Sequence, residues 1–254
     1  MQRPFSMTGI SGGISPATSN AMRKEGGRAL VHILHIGKTG GSTLARIFKQ
    51  KQAEIKASSV KLQHHSHGGS IEQHLKDQTG QVLFFVRHPV SRFVSAFNSR
   101  LRMGRPARDI PWTPVETIAF RMFKEPEALA SALDSEDEKL RALAELSMLS
   151  INHVRFPIKK WTGGPKALER RRGDIFFIGA QETFDDDCRA LLRKMGVSDT
   201  LPEFDDVQKH VAPAGLSKNL SDRSVANLKK WYERDIEIYD WCMKNRDSIN
   251  KAGV

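Results

Sequence analysis

A glycine-rich stretch at residues 37–43 carries one lysine and three hydroxyl side chains, directly after a short apolar run. Glycines let a backbone approach a ligand closely, and successive N–H groups at a helix N-terminus attract negative charge. Lys38 adds a positive charge, and Thr39, Ser42 and Thr43 add hydroxyl donors. The stretch therefore predicts a cradle for an anion. The alternative is a structural glycine turn with one exposed lysine.

The cradle differs from two known nucleotide-binding motifs. The ATPase and GTPase phosphate loop needs a glycine five residues before the Gly-Lys pair, and here the residue five before Gly37 is His32. The dinucleotide fingerprint G-x-G-x-x-G is also absent from this stretch. The sequence therefore favours another kind of anion site.

A second chemical element lies at residues 86–97, where another apolar run leads into a helical pattern. Arg87 stands at the end of the run, and Ser95 follows eight residues later, about two helical turns on. A guanidinium and a hydroxyl together make a good phosphate clamp. Taken singly, each residue is better explained as an ordinary surface side chain.

A third element is a cluster of histidines at residues 63–69, with His64, His65 and His67 close together. Histidine takes up and releases protons near neutral pH, so such a cluster is a candidate for acid–base chemistry. Clustered histidines also suit zinc or nickel, but this cluster has no clear carboxylate or cysteine partner nearby. A solvated loop without a role is the third possibility.

Strands that alternate with helices must position these elements. Apolar runs predict strands at residues 31–36, 82–86 and 175–178, with a weaker candidate at 59–62. Helical periodicity follows the strands, and its segments are residues 42–51, 90–101, 114–151, 185–195 and 221–246. This alternation predicts an α/β fold with a parallel sheet, whose ligands lie at the carboxyl ends of the strands.

Composition narrows the function classes. The chain has 254 residues, of which 39% are hydrophobic, so a fibrous or wholly disordered protein is excluded. Its 40 Lys and Arg against 29 Asp and Glu give a net charge of +11, which indicates a polyanionic partner of some kind. No stretch is apolar and long enough to predict a membrane span.

The two cysteines lie far apart, so we expect neither a disulfide scaffold nor a zinc ribbon. Residues 1–27 are rich in Gly, Ser, Pro and Thr and lack the apolar region of a secretory signal. We therefore expect residues 1–27 to be poorly ordered, residues 28–254 to form a single domain, and the protein to be cytoplasmic.

Together, the 37–43 stretch and the Arg87–Ser95 element resemble the sulfotransferases that use 3′-phosphoadenosine 5′-phosphosulfate (PAPS). The resemblance extends more weakly to Glu182 and Phe184 and to the C-terminal segment, and covers roughly residues 31–242. Among these sulfotransferases, the sequence most resembles those of the carbohydrate branch. The resemblance implies a three-layer fold with a phosphate-loop-like strand–loop–helix, and transfer of a sulfuryl group from PAPS to an acceptor hydroxyl.

The resemblance also implies site residues. The 5′-phosphosulfate loop and the 3′-phosphate element would bind the donor through Gly37, Lys38, Thr39, Gly40, Gly41, Ser42, Thr43, Arg87 and Ser95. The uronosyl 2-O-sulfotransferases have a similar His-x-His whose second histidine is the proposed base. By that resemblance His67 is the catalytic base, His65 supports it, Lys38 is catalytic, and no metal takes part.

The acceptor is less well indicated. The carbohydrate branch implies a glycan hydroxyl, and an anionic glycan would suit two basic runs, at residues 100–108 and 155–172. Solvated surface is the simpler interpretation of both runs. Residues 152–155 resemble an acceptor or nucleotide segment of that branch, and a loop at 207–220 with Lys209, His210 and Lys218 could close over the nucleotide.

Two other classes of function compete with this prediction. A nucleotide-dependent kinase would need a magnesium-binding aspartate after a strand, whereas residue 87, which follows the second strand, is an arginine. A nucleic-acid-binding protein would explain the charge, but only 7% of residues are aromatic and no zinc-finger or RNP-type signature occurs. We therefore expect no nucleic-acid partner. The oligomeric state is not predicted.

Overall fold

The computed structural model describes residues 24–25, 27–65, 69–76, 80–204 and 217–252. Within these residues the sheet contains five strands: β1 Lys24–Glu25, β2 Arg28–Leu34, β3 Val60–His64, β4 Gln81–Val86 and β5 Ile175–Ala180. Strands β2 to β5 are parallel, in the order β3-β2-β4-β5, and the short β1 pairs antiparallel with the start of β2. The prediction of an α/β fold with a parallel sheet is confirmed.

The predicted strands agree with the structure except at their ends. The first runs over Arg28–Leu34 rather than residues 31–36, because its pairing with β3 already begins at Ala29 and Val60. The last residue of β2 that pairs with β4 is Leu34, opposite Phe84. The chain therefore leaves the sheet two residues earlier than predicted, and His35 and Ile36 already belong to the connection.

Helices connect the strands and cover the sheet. Within the described residues they are α1 Gly41–Gln50, α2 Gln52–Ala57, α3 Ile71–His74, α4 Pro89–Leu101, α5 Pro114–Met122, α6 Pro126–Ala132, α7 Glu138–Ser150, α8 Lys159–Thr162, α9 Pro165–Arg170, α10 Phe184–Lys194, α11 Asp222–Trp231 and α12 Glu233–Lys251. One-turn 3₁₀ helices at Arg172–Asp174 and Gln181–Thr183 flank β5.

Two predicted helical segments are divided in the structure. Residues 114–151 form α5, α6 and α7, because each new helix has its own start signal: a capping box between Thr113 and Glu116, a proline at position 126, and the carboxylate of Asp137. The predicted helix at 221–246 is interrupted at Tyr232, between α11 and α12.

The sheet is the middle of three layers. One face, with Val31, Ile33 and Leu83, packs against α1, α2 and α10. The other face, with Phe84 and Ile178, packs against α3, α8, α9 and α12. A separate apolar cluster holds α4 against α5, α6, α7 and α11. The three-layer prediction is therefore confirmed, with an additional helical lobe built around α4.

The strand order places a crevice at the end of β2. The chain passes from β2 to β3 on one side of it and then crosses to β4 on its other side. Connections that leave neighbouring strands in opposite directions open a gap at the carboxyl edge of a parallel sheet, where ligands of such folds bind. The 37–43 loop and the start of α4 both lie at this gap.

Candidate functional site

A cavity of about 1010 Å³ lies at this carboxyl edge. Its wall includes residues that directly follow three of the strands: His35 after β2, Arg87 after β4 and Gln181 after β5. Of the nine residues predicted to bind the donor, seven line it: Lys38, Gly40, Gly41, Ser42, Thr43, Arg87 and Ser95. The structure thus brings the two predicted elements to one cavity, although they lie far apart in sequence.

The N-terminus of α1 is open to an anion. Within the described residues no side chain caps this end, and the first turn contains no acidic residue. Its uncapped N–H groups and the helix dipole therefore favour a negatively charged ligand. Gly40 precedes the helix with φ of 89°, and a Cβ there would lie 2.4 Å from the Phe184 ring. Only glycine fits this entry to the helix.

Gly37 and Thr39 are not among the residues that line the cavity. The Thr39 side chain is 1% exposed, and its hydroxyl donates a hydrogen bond to the Ile36 carbonyl at 2.8 Å. The Gly37 carbonyl accepts a hydrogen bond from Arg92. In this conformation both residues hold the loop itself in shape, and a donor-binding role for them stays a prediction.

Lys38 is the charged group of the loop. Its backbone has φ of 71°, a left-handed conformation that is uncommon for a residue with a side chain. Burial, and after it the cations Arg102, Arg87, Arg108 and Arg92 in that order, together lower the pKa of its ammonium from 10.5 to about 8. Lys38 therefore lies among like charges that repel it.

Arg87 and Ser95 line the same cavity. The Arg87 Nε donates to the Ser91 hydroxyl at 3.0 Å, and that hydroxyl donates to the His88 carbonyl, also at 3.0 Å. Burial lowers the pKa of Arg87, while the charge of Glu182 opposes this shift. The Ser91 contact orients the guanidinium at the start of α4, one helical turn before Ser95.

Arg92 has a role that the sequence did not indicate. Its side chain is only 2% exposed, and arginine is almost never buried so fully without partners. Its Nε donates to Gly37 O at 3.0 Å, and one terminal nitrogen donates to His153 O at 3.3 Å and Phe156 O at 2.8 Å. The other lies 3.9 Å from the Asp235 carboxylate. Arg92 thus joins α4, the 37–43 loop, the turn after α7, and α12.

Glu182 links the ends of β4 and β5. Its carboxylate accepts a hydrogen bond from the His88 backbone N–H at 2.8 Å. It also accepts one from the Tyr239 hydroxyl; burial and Glu182 together raise the pKa of Tyr239 to about 12. Glu182 lines the cavity. The weak resemblance at Glu182 was the only signal for this residue.

The predicted base, His67, lies outside the described residues. His65 is described but does not line the cavity. Its Nε2 shares a hydrogen bond with His32 Nδ1 at 2.9 Å, and its ring stacks on that of His74 with centroids 3.8 Å apart. Burial, followed by the neighbouring His74 and His32, lowers the pKa of His65 to about 4. The supporting role predicted for His65 stays a prediction.

The two basic runs differ in their surroundings. In the first run Arg100 is buried in an ion pair with Glu116 at 2.7 Å, and Arg105 pairs with Asp109 at 2.9 Å. Arg108 lines the cavity, and Arg102 depresses the pKa of Lys38. The second run, at 155–172, contributes no residue to the cavity wall. Lys209 and His210 lie outside the described residues, whereas Lys218 is exposed.

The turn after α7 also reaches the cavity, through Asn152 and His153. The Asn152 N–H donates to the buried Glu116 carboxylate at 3.0 Å.

Among the described residues, no group of three or more His, Cys, Asp or Glu side chains is arranged to hold a metal ion. In the same part of the chain, no helix combines the length and apolarity of a membrane span.

A family model described as "Sulfotransferase family" matches residues 27–241, which is most of the chain and includes every element that forms the cavity. No curated protein matches the chain.

Proposed function

The chain belongs to the sulfotransferase family, and we propose that it transfers a sulfuryl group from PAPS to a hydroxyl of a carbohydrate acceptor. The observation that carries the proposal is that Lys38 and Arg87 line the same cavity, next to the uncapped N-terminus of α1. Like charges held together in one cavity favour a ligand that carries several negative charges, as PAPS does.

The residues present fit such a donor. The open N-terminus of α1 and Lys38 would hold the 5′-phosphosulfate, together with the hydroxyls of Ser42 and Thr43. Arg87 and Ser95 would hold the 3′-phosphate, and this contact would distinguish the donor from ATP. When bound, the donor supplies a sulfuryl group on a good leaving group, the 5′-phosphate.

The proposed reaction is an in-line displacement. The acceptor oxygen bonds to sulfur while the bond between sulfur and the bridging oxygen breaks, and that oxygen leaves with its electron pair on the 5′-phosphate. Lys38 and the α1 amides would neutralise the charge that grows there. The hydroxyl proton would pass to His67, the base assigned by resemblance to the uronosyl 2-O-sulfotransferases, with His65 in support. The proposal needs no metal ion.

The acceptor is proposed to be an anionic glycan. Support comes from the resemblance to the carbohydrate branch and from Arg108, a cation on the cavity wall that is not required for either phosphate. Residues 28–254 are proposed to act as one catalytic domain. The cytoplasmic location also stays a proposal.

A nucleotide screen followed by a transfer assay tests this function. We expect 3′-phosphoadenosine 5′-phosphate (PAP) to raise the melting temperature more than ATP with Mg²⁺, because ATP lacks the 3′-phosphate. Radiolabelled PAPS should then transfer label to a member of a panel of uronic-acid-containing and neutral glycans, equally well with and without EDTA. Stronger stabilisation by ATP with Mg²⁺ would instead favour a phosphotransferase.

A further inference from the structure

Backbone strain is concentrated around the cavity. Among the described residues other than glycine, three have positive φ: Lys38 at 71°, Met103 at 57° and His153 at 65°. Lys38 and His153 line the cavity, and Met103 directly precedes Gly104, which also lines it. Such conformations cost free energy and persist where the surrounding structure imposes them, often at functional sites. Of the two that line the cavity, His153 is the one that has no role in the account so far.

The turn that carries His153 is fixed at several points. The Arg92 guanidinium donates to the His153 carbonyl at 3.3 Å, and the His153 N–H donates to the Asn152 side-chain oxygen at 3.0 Å. On the next residue, the Val154 carbonyl accepts from the Tyr232 hydroxyl at 3.2 Å. The backbone of His153 is therefore held in its strained conformation from both sides.

This conformation places the His153 ring against the beginning of the 37–43 loop. A Cβ built on Gly37 would lie 2.9 Å from His153 Nδ1, so glycine is needed there for the ring to approach. Lys38 follows directly, and one guanidinium, that of Arg92, bonds the carbonyls of both Gly37 and His153. The imidazole and Lys38 therefore occupy one end of the cavity.

That end suits the sulfuryl group better than either phosphate. In the proposed function the 5′-phosphate lies at the α1 N-terminus, which begins at Gly41, and the 3′-phosphate lies at Arg87 and Ser95. Gly37 and His153 lie at the other end of the loop from α1. We propose, on the basis of that function, that His153 is a further catalytic residue, whose imidazole N–H binds the donor's sulfuryl group and holds it for attack by the acceptor.

Binding alone tests the proposal, because PAPS and PAP differ only by the sulfuryl group. Affinities for both would be measured for the wild type, H153N, H153Q and R121A. Asparagine tolerates a left-handed backbone, so H153N should fold, but its amide is too short to replace the imidazole. Glutamine keeps an N–H donor at greater reach. R121A is the control: it removes an exposed cation from the last turn of α5, and Arg121 does not line the cavity.

We expect H153N to bind PAPS about tenfold more weakly, the size of a lost hydrogen bond to a charged group, and to bind PAP as the wild type does. H153Q should recover most of the PAPS affinity, and R121A should bind both ligands normally. Equal weakening of PAPS and PAP in H153N, no weakening at all, or no recovery in H153Q would each overturn the role. If the wild type itself fails to bind PAP, the proposed function fails as well.

Discussion

The Arg92 Nε donates a hydrogen bond to the Gly37 carbonyl oxygen at 3.0 Å, deep inside the protein. The bond joins the helix that begins just after Arg87 to the loop that carries Lys38. The two proposed anion-binding elements are therefore held at a fixed separation before any ligand binds. Preorganisation of this kind lowers the cost of binding a ligand that must contact both elements.

Replacing Arg92 with methionine should weaken PAP binding and destabilise the fold together. Asp235 would lose its buried cationic partner, and breaking such a pair typically costs about 3–5 kcal/mol. Denaturant unfolding would give the loss in stability, and calorimetry at low temperature would give PAP affinity for the folded protein.

R171M is a suitable control for this variant. It also removes an arginine from ion pairs, with Glu72 and Asp174, but these lie outside the cavity. We expect R171M to lower stability by a smaller amount and to bind PAP normally. A folded R92M protein with unchanged PAP affinity would show that Arg92 does not position the loop.

The chemical elements of the site could be predicted because each is local. A strand, a glycine-rich turn and a helix follow one another within about 20 residues, and the loop at 37–43 and the Arg87–Ser95 element both have this form. Their meeting in one cavity follows from the general rule for parallel sheets. The short β1 was not predicted, because a strand of two residues is too short to show an alternation of apolar and polar side chains.

The supporting contacts depend on residues that are distant in the sequence. The need for glycine at position 40 arises from the Phe184 ring, and the burial of Arg92 depends on carbonyls of the turn after α7 and on Asp235. Likewise, Arg100 lies in a basic run of the sequence, and only the structure shows that it is paired with Glu116. One sequence shows that an arginine is present, but not which distant group neutralises it.

Replacing Lys38 with alanine should lower the turnover of sulfuryl transfer by about 10²–10³-fold, the usual cost of losing one charge-stabilising group. The rate would be measured at saturating PAPS, so that weaker binding does not contribute. K49A changes an exposed lysine in the last turn of α1, the helix that follows the loop, and should retain activity. A near-normal rate in K38A would refute the catalytic role of Lys38.

The pKa of Lys38 predicts how binding and stability depend on pH. An anion binds the protonated amine, so PAP affinity should fall as the pH rises above about 8. The unliganded protein should behave oppositely: between pH 8 and 10.5 the unfolded chain binds more protons at this lysine, so stability rises with pH.

The variant K38M isolates this effect. Without the buried charge it should be more stable than the wild type at pH 7, by about 0.5–2 kcal/mol, and yet bind PAP more weakly. Its stability should also rise less between pH 8 and 10.5. A K38M protein less stable than the wild type would contradict the like-charge crowding.

Glu116 should make the protein sensitive to strong acid. Burial alone would raise the pKa of its carboxyl, but hydrogen bonds from Arg100, Thr113 and Asn152 lower it from 4.5 to about 2. This carboxylate therefore contributes stability above pH 4.5 that is lost as the pH falls towards 2. Unfolding free energies across this window should decline less steeply in E116Q than in the wild type. Parallel curves would exclude Glu116 as the cause.

The central claim is that one cavity binds an adenosine nucleotide through both its 5′ and its 3′ phosphates. Calorimetric titration of PAP and of 5′-AMP into the wild type and R87A tests it most directly, because the two ligands differ only in the 3′-phosphate. The wild type should prefer PAP, and R87A should lose about 1.5–3 kcal/mol of PAP binding while its affinity for 5′-AMP is unchanged. A wild type without preference for PAP, or an R87A protein that keeps the preference, would contradict the account.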